Sequence, residues 1–217
     1  MTKVLLTGFE PFDNEPINPS WEMIKALDNQ TLENVDDTVI VTRCLPCVFG
    51  ASITALEAAI NEVKPDIVIS FGQAGGRAAI TPERVAINID DARILDNAGN
   101  QPIDLPVIDN APAAYFTTLP IKAMVQALQS HGIPALVSNS AGTFVCNHSF
   151  FALQHLARRY NIAKSGFVHI PYLPEQIAHQ PTQPSMALQM LKDAVNIMIH
   201  TVVTIQSDSK IGGGAIH

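Results

Sequence analysis

Charged side chains are scarce in this sequence of 217 residues. Asp, Glu, Lys and Arg make up 15% of it, against about 25% in an average globular protein. The 13 basic residues form no cluster, and the 20 acidic residues bring the net charge to −7. Nucleic acids and anionic membranes bind to patches of Lys and Arg, so neither is an expected partner. Few charges beside 47% hydrophobic residues also indicate that another subunit covers part of the surface.

Cysteine and long apolar runs are scarce as well. Three cysteines in a chain of this length do not predict a disulfide framework. The longest apolar stretch, residues 194–205, is interrupted by polar residues and is shorter than the roughly 20 residues of a membrane-spanning helix. The apolar run near the N-terminus is too short for a signal peptide. These features predict a soluble cytoplasmic protein, with one domain at residues 1–210 and a flexible tail at residues 211–217.

Short β-branched runs alternate with longer segments of helical spacing. The predicted strands are residues 3–7, 38–42, 66–71, 83–89, 135–139 and 166–170. The predicted helices are residues 20–27 (with Ser20 as N-cap), 51–63, 121–129, 144–160 and 185–205. Strands that alternate with helices form right-handed crossovers. The expected fold is therefore α/β, a three-layer α/β/α arrangement of an open, twisted, mostly parallel sheet with helices on both faces.

Ligands of such sheets bind at the carboxyl ends of the strands. The candidate positions are therefore the segments that follow Thr7, Phe71, Asn139 and Ile170. The segment after Asn139 leads into a helix and places Cys146 at or near the helix N-terminus. Unpaired amides and the helix dipole stabilise a thiolate there, and the same amides can donate to an oxyanion. Two interpretations stay open for Cys146, a nucleophile or a small buried side chain.

A cysteine nucleophile needs a base, and histidine is the usual one. Of the seven histidines, only His169 stands at the carboxyl end of a predicted strand, at the level expected for Cys146. Glu83 begins a predicted strand next to a glycine-rich loop and is a candidate for orienting the imidazole. The alternative for Glu83 is a solvated surface carboxylate.

The two remaining strand ends carry weaker signals. Phe9 and Phe12 lie two positions apart in a loop bounded by Gly and Pro, where they form either a pocket wall or part of the core. The glycine-rich loop at residues 72–77 permits close backbone approach to a ligand. It has neither the Lys-Ser/Thr pair of a phosphate loop nor the spacing of a dinucleotide fingerprint, so nucleotide binding is disfavoured.

A rival chemistry is thiol redox exchange by Cys44 and Cys47, which have Cys-x-x-Cys spacing between a strand and a helix. The predicted helix begins at residue 51, several residues too late for its dipole to act on Cys44. A zinc site would need a second ligand pair at similar spacing, which the sequence lacks. Redox chemistry is therefore the weaker alternative.

Four blocks together resemble the pyrrolidone-carboxylate peptidase (pyroglutamyl peptidase type I) family of cysteine peptidases. The blocks are residues 7–12 with 18–21, residues 72–77 with 83–88, residues 141–147, and residues 169–174. The resemblance runs from Val4 to about Met190. It implies an α/β/α sandwich, a homotetramer, and a thiol protease without metal or organic cofactor. It also implies peptide substrates with an N-terminal pyroglutamyl (5-oxoprolyl) residue, removed through a thioacyl-enzyme intermediate.

The resemblance assigns roles to individual positions. The triad of the family matches Glu83, Cys146 and His169, the three residues that the strand-end argument selects. The arginine beside the active site matches Arg93, which is expected to support the oxyanion. The substrate pocket matches Phe9, Phe12, Gln73, Phe144 and Val145.

Two positions depart from the family pattern. Asp13 stands where the family often has Gly, and Asp tolerates a left-handed backbone better than most residues. Leu95 stands where a proline is common. A second function class stays open, a non-catalytic binder of lactams or peptide N-termini that keeps the pocket but does no chemistry. The intact triad argues against it, and replacement of Cys146 separates it from an enzyme.

Overall fold

A five-stranded sheet forms the centre of the computed structural model, which describes residues 1–31 and 38–214. The strand order is β2-β1-β3-β7-β4, and a separate two-stranded sheet pairs β5 with β6. The strands are β1 (Thr2–Phe9), β2 (Thr38–Leu45), β3 (Ile67–Gln73), β4 (Thr81–Pro82), β5 (Val85–Ile87), β6 (Ala114–Phe116) and β7 (Lys164–Ile170). Pairing is parallel among β2, β1, β3 and β7, whereas β4 runs antiparallel to β7.

Helices cover both faces of the main sheet. They are α1 (Pro19–Ile24), α2 (Ala51–Val63), α3 (Ile121–Ser130), α4 (Val145–Arg159) and α5 (Leu188–Thr204). One apolar cluster joins α1, α3 and α5 to the sheet, and a second joins α2 and α4 to its other face. All seven residues of β3 are buried, as expected for a parallel strand covered on both sides. The predicted three-layer α/β/α fold is confirmed.

The segments that flank β7 differ from the predicted pattern. Of the predicted strand at residues 83–89, only residues 85–87 form a strand, β5, which belongs to the smaller sheet. The short β4 ends before it, at Pro82. The predicted strand at residues 135–139 makes only isolated bridges, from Ala135 to Ile80 and from Ser138 to Glu83. Pro82 and Pro134 contribute no amide hydrogen, so a continuous ladder cannot form there.

Helix bounds follow the hydrophobic spacing closely, with a correction at α1. Its N-cap is Asn18, not Ser20, because the Asn18 Oδ1 accepts from the Ser20 amide at 3.1 Å. Pro19 occupies the first helical position, where its missing amide hydrogen costs nothing. The Ser20 hydroxyl oxygen accepts instead from the Phe9 amide at 2.9 Å and fixes the end of β1.

None of the helices in residues 1–31 and 38–214 has the length and apolar character needed to cross a bilayer. Part of the predicted tail, residues 215–217, lies outside the described residues.

Candidate active site

Cys146 and His169 line one cavity at the carboxyl ends of β3 and β7. Cys146 is the second residue of α4, and His169 lies near the end of β7, in register with Gly72 of β3. A Cβ atom on Gly72 would lie 2.8 Å from the Cys146 sulfur and 2.7 Å from the Phe167 ring. The missing side chain therefore lets the thiol lie against the strand next to the histidine.

Glu83 orients the imidazole of His169. The His169 Nδ1 donates to the Glu83 Oε1 over 2.7 Å, and the carboxylate is completely buried. Glu83 stands between β4 and β5, where its backbone amide donates to the Phe167 carbonyl at 2.9 Å. With Nδ1 engaged by the carboxylate, Nε2 is the nitrogen left to exchange a proton with a reacting group.

Arg77 is a member of this cluster that the sequence analysis missed. Its Nη1 donates to the Glu83 Oε1 at 2.6 Å, and its Nη2 donates to the Ser140 carbonyl at 3.1 Å. Its position at the end of the glycine-rich loop indicates that Arg77 is near the site. No local sequence pattern indicates that it pairs with Glu83.

Burial controls the protonation of the cluster. It raises the pKa of Cys146 to about 12, with a further increase from the negative charge of Glu83. It also lowers the pKa of His169 below 6.5, against the opposing hydrogen bond and charge of Glu83. For Glu83, the hydrogen bond and charge of His169 and the charge of Arg77 outweigh burial and hold the pKa below 4.5. These shifts favour a neutral thiol and a neutral imidazole beside a carboxylate. For the thiol, burial thus opposes the stabilisation of a thiolate that the helix terminus alone would provide.

The N-terminus of α4 offers backbone donors to the cavity. Its N-cap is Phe144, whose side chain has no acceptor for the amides of the first turn. Asn147, a second residue missed from sequence, fixes this turn against β5. Its Oδ1 accepts from the Ile87 amide at 3.0 Å, and its Nδ2 donates to the carbonyls of Ile87 and Ile89 at 2.9 and 3.1 Å.

The cavity has a volume of about 370 Å³ and includes several of the predicted pocket residues. Phe12 and Phe144 form part of its wall, with ring centroids 6.2 Å apart. Gln73 also lines it, and the Gln73 Oε1 accepts from the Gln176 side chain at 2.9 Å. Gln176 lies in a short 3-10 helix (Pro174–Gln176), and nothing in the sequence pattern indicates this contact.

Phe9 and Val145 lie elsewhere. Phe9 is 2% exposed and Val145 is completely buried, and both belong to the apolar cluster beneath α4. The Phe9 ring lies 6.3 Å from that of Phe167, which matches the second interpretation of Phe9 as part of the core.

Arg93 lines the same cavity through the loop that follows β5. This loop is tied to the approach to α4, because the Thr143 hydroxyl donates to the Asp91 carbonyl at 2.7 Å and the Asp91 amide donates to the Thr143 carbonyl at 3.0 Å. The Arg93 side chain is exposed and forms no salt bridge with any residue that the structure describes. Its charge is therefore available to a bound ligand.

The two departures from the family pattern lie in loops. Asp13 adopts a left-handed backbone with φ of +55°, a conformation that Asp accepts more readily than most residues. Leu95 is 59% exposed and is not among the described residues that line the cavity.

Cys44 and Cys47 lack the features of a redox pair. β2 extends to Leu45, beyond the predicted end at residue 42, so Cys44 lies within a strand. Burial raises the pKa of Cys44 to about 11, and it raises that of Cys47 still further. Reactive cysteines of redox motifs have lowered pKa values instead. Among the described residues, no three His, Cys, Asp or Glu side chains cluster as metal ligands.

The fold and this cluster define an α/β protein of the cysteine-type hydrolase class. Comparison with known proteins identifies the family. The family model for pyroglutamyl peptidase matches residues 2–205. The chain belongs to the pyroglutamyl peptidase family.

Several relatives align over their full length. The pyrrolidone-carboxylate peptidase of Cupriavidus taiwanensis is 54% identical over 219 residues, which cover 100% of both chains. That of Yersinia pestis is 54% identical over 218 residues, again with complete coverage of both. The crystal structure of pyroglutamyl peptidase I from Bacillus amyloliquefaciens superposes with a TM-score of 0.92 at 47% identity, covering 97% of this chain and 99% of that one. A mutant pyrrolidone carboxyl peptidase from Pyrococcus furiosus gives a TM-score of 0.89 at 43% identity, covering 93% and 98%.

The raised pKa of Cys146 predicts that the substrate-free protein holds this residue as a thiol at neutral pH. Ultraviolet absorbance of thiolate, measured from about pH 6 to pH 9 on wild type and Cys146→Ser, is expected to show no difference between the two. Subtraction of the variant cancels the signals of Cys44 and Cys47. A difference that rises near neutral pH would mean that a thiolate–imidazolium pair exists at rest.

Proposed function

We propose that this protein is an exopeptidase that removes an N-terminal pyroglutamyl residue from peptides, with Cys146 as nucleophile, His169 as acid and base, and Glu83 as the group that orients His169. The observation that carries the proposal is the cavity that Cys146 shares with His169, whose imidazole is bound to Glu83, in a chain of the pyroglutamyl peptidase family. Names of its relatives, pyrrolidone-carboxylate peptidase and pyroglutamyl peptidase I, support the substrate.

Acylation begins with a neutral thiol and a neutral imidazole. The Nε2 of His169 takes the proton of Cys146 while the sulfur attacks the pyroglutamyl carbonyl carbon. Glu83 stabilises the imidazolium that forms and holds the imidazole with Nδ1 protonated. His169 then gives the proton to the amine of the departing peptide, and a thioester remains on Cys146.

Deacylation reverses the roles with water as the nucleophile. His169, again neutral, takes a proton from water as the oxygen attacks the thioester. Collapse of the second tetrahedral intermediate expels the sulfur, which recovers the proton from His169. Pyroglutamate leaves and the neutral resting pair is restored.

Negative charge develops on the carbonyl oxygen in both tetrahedral intermediates. The first-turn amides of α4 face no side-chain acceptor from Phe144, so they are suited to donate to this oxygen. Arg93 adds a positive charge from the loop that is bonded to Thr143. We assign Arg93 the role of oxyanion support.

The cavity suits an uncharged lactam. Pyroglutamate is small and flat, and the rings of Phe12 and Phe144 provide an apolar wall for it. The charged side chains of the lining are Arg77 and Arg93 against one carboxylate, Asp91. An ordinary peptide would have to bring its ammonium group out of water into this surrounding, at a cost of several kcal/mol.

We further propose a cytoplasmic homotetramer in which residues 1–210 act as one domain, without nucleic-acid or membrane partners. The family resemblance, the low charge and the net charge of −7 support it. Apolar side chains on the segment after β5 give further support, since Leu95, Ile103 and Leu105 are each more than half exposed. A subunit interface would remove such a surface from water.

The activity is tested by release of a chromogenic amine from a pyroglutamyl amide, beside the prolyl and alanyl amides. We expect turnover of the pyroglutamyl substrate alone, loss of nearly all turnover in Cys146→Ser, and retention in the matched control Cys44→Ser. Binding of pyroglutamate without turnover in folded, reduced protein would favour the non-catalytic binder. Loss of activity in Cys44→Ser but not in Cys146→Ser would favour redox chemistry.

The role of Arg93 predicts a loss confined to the chemical step. Removal of one oxyanion donor typically costs about 10²-fold in kcat, so Arg93→Met is expected to lower kcat by roughly that factor while KM changes little. Arg43 lies on β2 and pairs with Glu62 at 2.7 Å. Its variant Arg43→Met is the control and is expected to have the kcat of wild type. An unchanged kcat in Arg93→Met would remove Arg93 from the mechanism.

The proposed assembly predicts a mass near four times 23.4 kDa in size-exclusion chromatography with light scattering. A substitution in the apolar surface, Leu105→Glu, is expected to shift the species to smaller oligomers because it buries an unpaired charge. A monomer at micromolar wild-type concentration would contradict the tetramer.

A further inference from the structure

One oxygen atom of the cluster receives two donors. The Glu83 Oε1 accepts from the His169 Nδ1 at 2.7 Å and from the Arg77 Nη1 at 2.6 Å. The carboxylate is completely buried, whereas the Arg77 side chain is 29% exposed at the cavity lining. Arg77 thus provides the permanent positive charge that pairs with the buried carboxylate.

This contact matters because burial favours the neutral form of His169. A buried carboxylate beside a neutral imidazole would have no compensating charge, and such burial is strongly unfavourable. The pair could then gain a balancing proton by forming imidazolium and carboxylate, but a protonated imidazole cannot take the proton of Cys146.

We propose that Arg77 is a positioning residue for the reaction, the counter-ion of Glu83 that lets this carboxylate stay ionised while His169 stays neutral and ready to act as base. The proposal rests on the function assigned above to Glu83, Cys146 and His169. No role for Arg77 follows from its place in the glycine-rich loop alone. Its guanidinium binds Glu83, and its charge opposes protonation of His169 from beyond that carboxylate.

The shape of the guanidinium also serves this role. While Nη1 binds Glu83, Nη2 donates to the Ser140 carbonyl at 3.1 Å in the segment that leads to Cys146. Nη1 also contacts the Thr81 hydroxyl of β4. One planar group therefore joins the strand before Glu83, the carboxylate itself and the approach to α4, whereas lysine would supply the charge from a single nitrogen.

The charged and titratable groups around His169 come from four segments. Glu83 faces its Nδ1, Arg77 lies on the far side of the shared oxygen, and Cys146 lies on α4. Asp91 and Arg93 belong to the loop after β5 that lines the same cavity. Of these, Arg77 and Glu83 act on the charge of the imidazole in opposite directions.

The proposal predicts the pH dependence of the variants. Without the positive charge of Arg77, the Glu83–His169 pair binds a proton more readily, so the acidic limb of kcat/KM moves to higher pH. In Arg77→Met we expect the pH of this limb to rise by about one unit or more. The variant removes a positive charge that opposes protonation of the imidazole bound to the same carboxylate oxygen. Arg77→Lys keeps the charge and is expected to keep the limb near its wild-type position, even where its activity is reduced.

The experiment is a pH profile of kcat/KM for wild type, Arg77→Met, Arg77→Lys and the matched control Arg84→Met. Arg84 lies seven positions along the chain, and its guanidinium contacts the Gly213 carbonyl instead of the triad. A role in folding alone would lower activity equally at all pH values and leave the limb in place. An unshifted limb in Arg77→Met would overturn the proposal, and so would a limb in Arg77→Lys shifted as far as in Arg77→Met.

A second measurement does not need turnover. Deuterium exchange at the imidazole C2–H, followed by mass spectrometry of the peptide that contains His169, reports the pKa of that side chain in folded protein. We expect this pKa to rise in Arg77→Met and to stay near wild type in Arg77→Lys and Arg84→Met. A pKa of His169 that does not move in Arg77→Met would overturn the proposal even if the peptidase activity is confirmed. A rise in a protein without peptidase activity would uphold the Arg77 coupling and refute the proposed reaction instead.

Discussion

The hydrogen bond between the buried carboxylate of Glu83 and the imidazole of His169 is the constraint on which the site depends. A carboxylate that is completely buried needs strong partners at fixed positions. The fold provides them through β4, a strand of only two residues whose antiparallel register sets Thr81 opposite His169 and Pro82 opposite Val168. Glu83 follows directly, so its carboxylate reaches the imidazole without a long or mobile loop. The short edge strand β4 therefore positions the Glu83 side chain.

Burial of this cluster has a chemical consequence for the thiol. The same low-polarity surroundings that strengthen the Glu83–His169 bond raise the pKa of Cys146 to about 12 and lower that of His169. In the proposed mechanism, a neutral pair at rest delays charge separation until the thiol attacks, when the amides of α4 and the charge of Arg93 stabilise the oxyanion. The helix terminus alone would stabilise a thiolate, but for Cys146 the cost of desolvating the sulfur is larger.

The site residues at strand ends could be predicted from the sequence, whereas those whose roles depend on long-range contacts could not. Four of the six predicted strands and all five predicted helices lie at nearly their observed places, because hydrophobic spacing reports burial directly. The strand-end rule alone brought Cys146 and His169 together. Arg77 and Gln176 were missed, since their partners Glu83 and Gln73 are fixed by tertiary packing. Two prolines, Pro82 and Pro134, explain why the segments beside β7 form bridges where a full strand was predicted.

Gly72 links the packing of the sheet to the chemistry of the thiol. Parallel strands covered by helices are buried on both faces, so a position in β3 normally carries an apolar side chain. Here any side chain would occupy the space of the Cys146 sulfur and the Phe167 ring, as a Cβ would lie within 2.8 Å of both. Because β3 has no side chain at Gly72, α4 can approach it closely. Cys146, the second residue of α4, then lines the same cavity as His169. The apolar core and the reactive cluster are therefore built on the same backbone contact, and enlarging this residue would disturb both together.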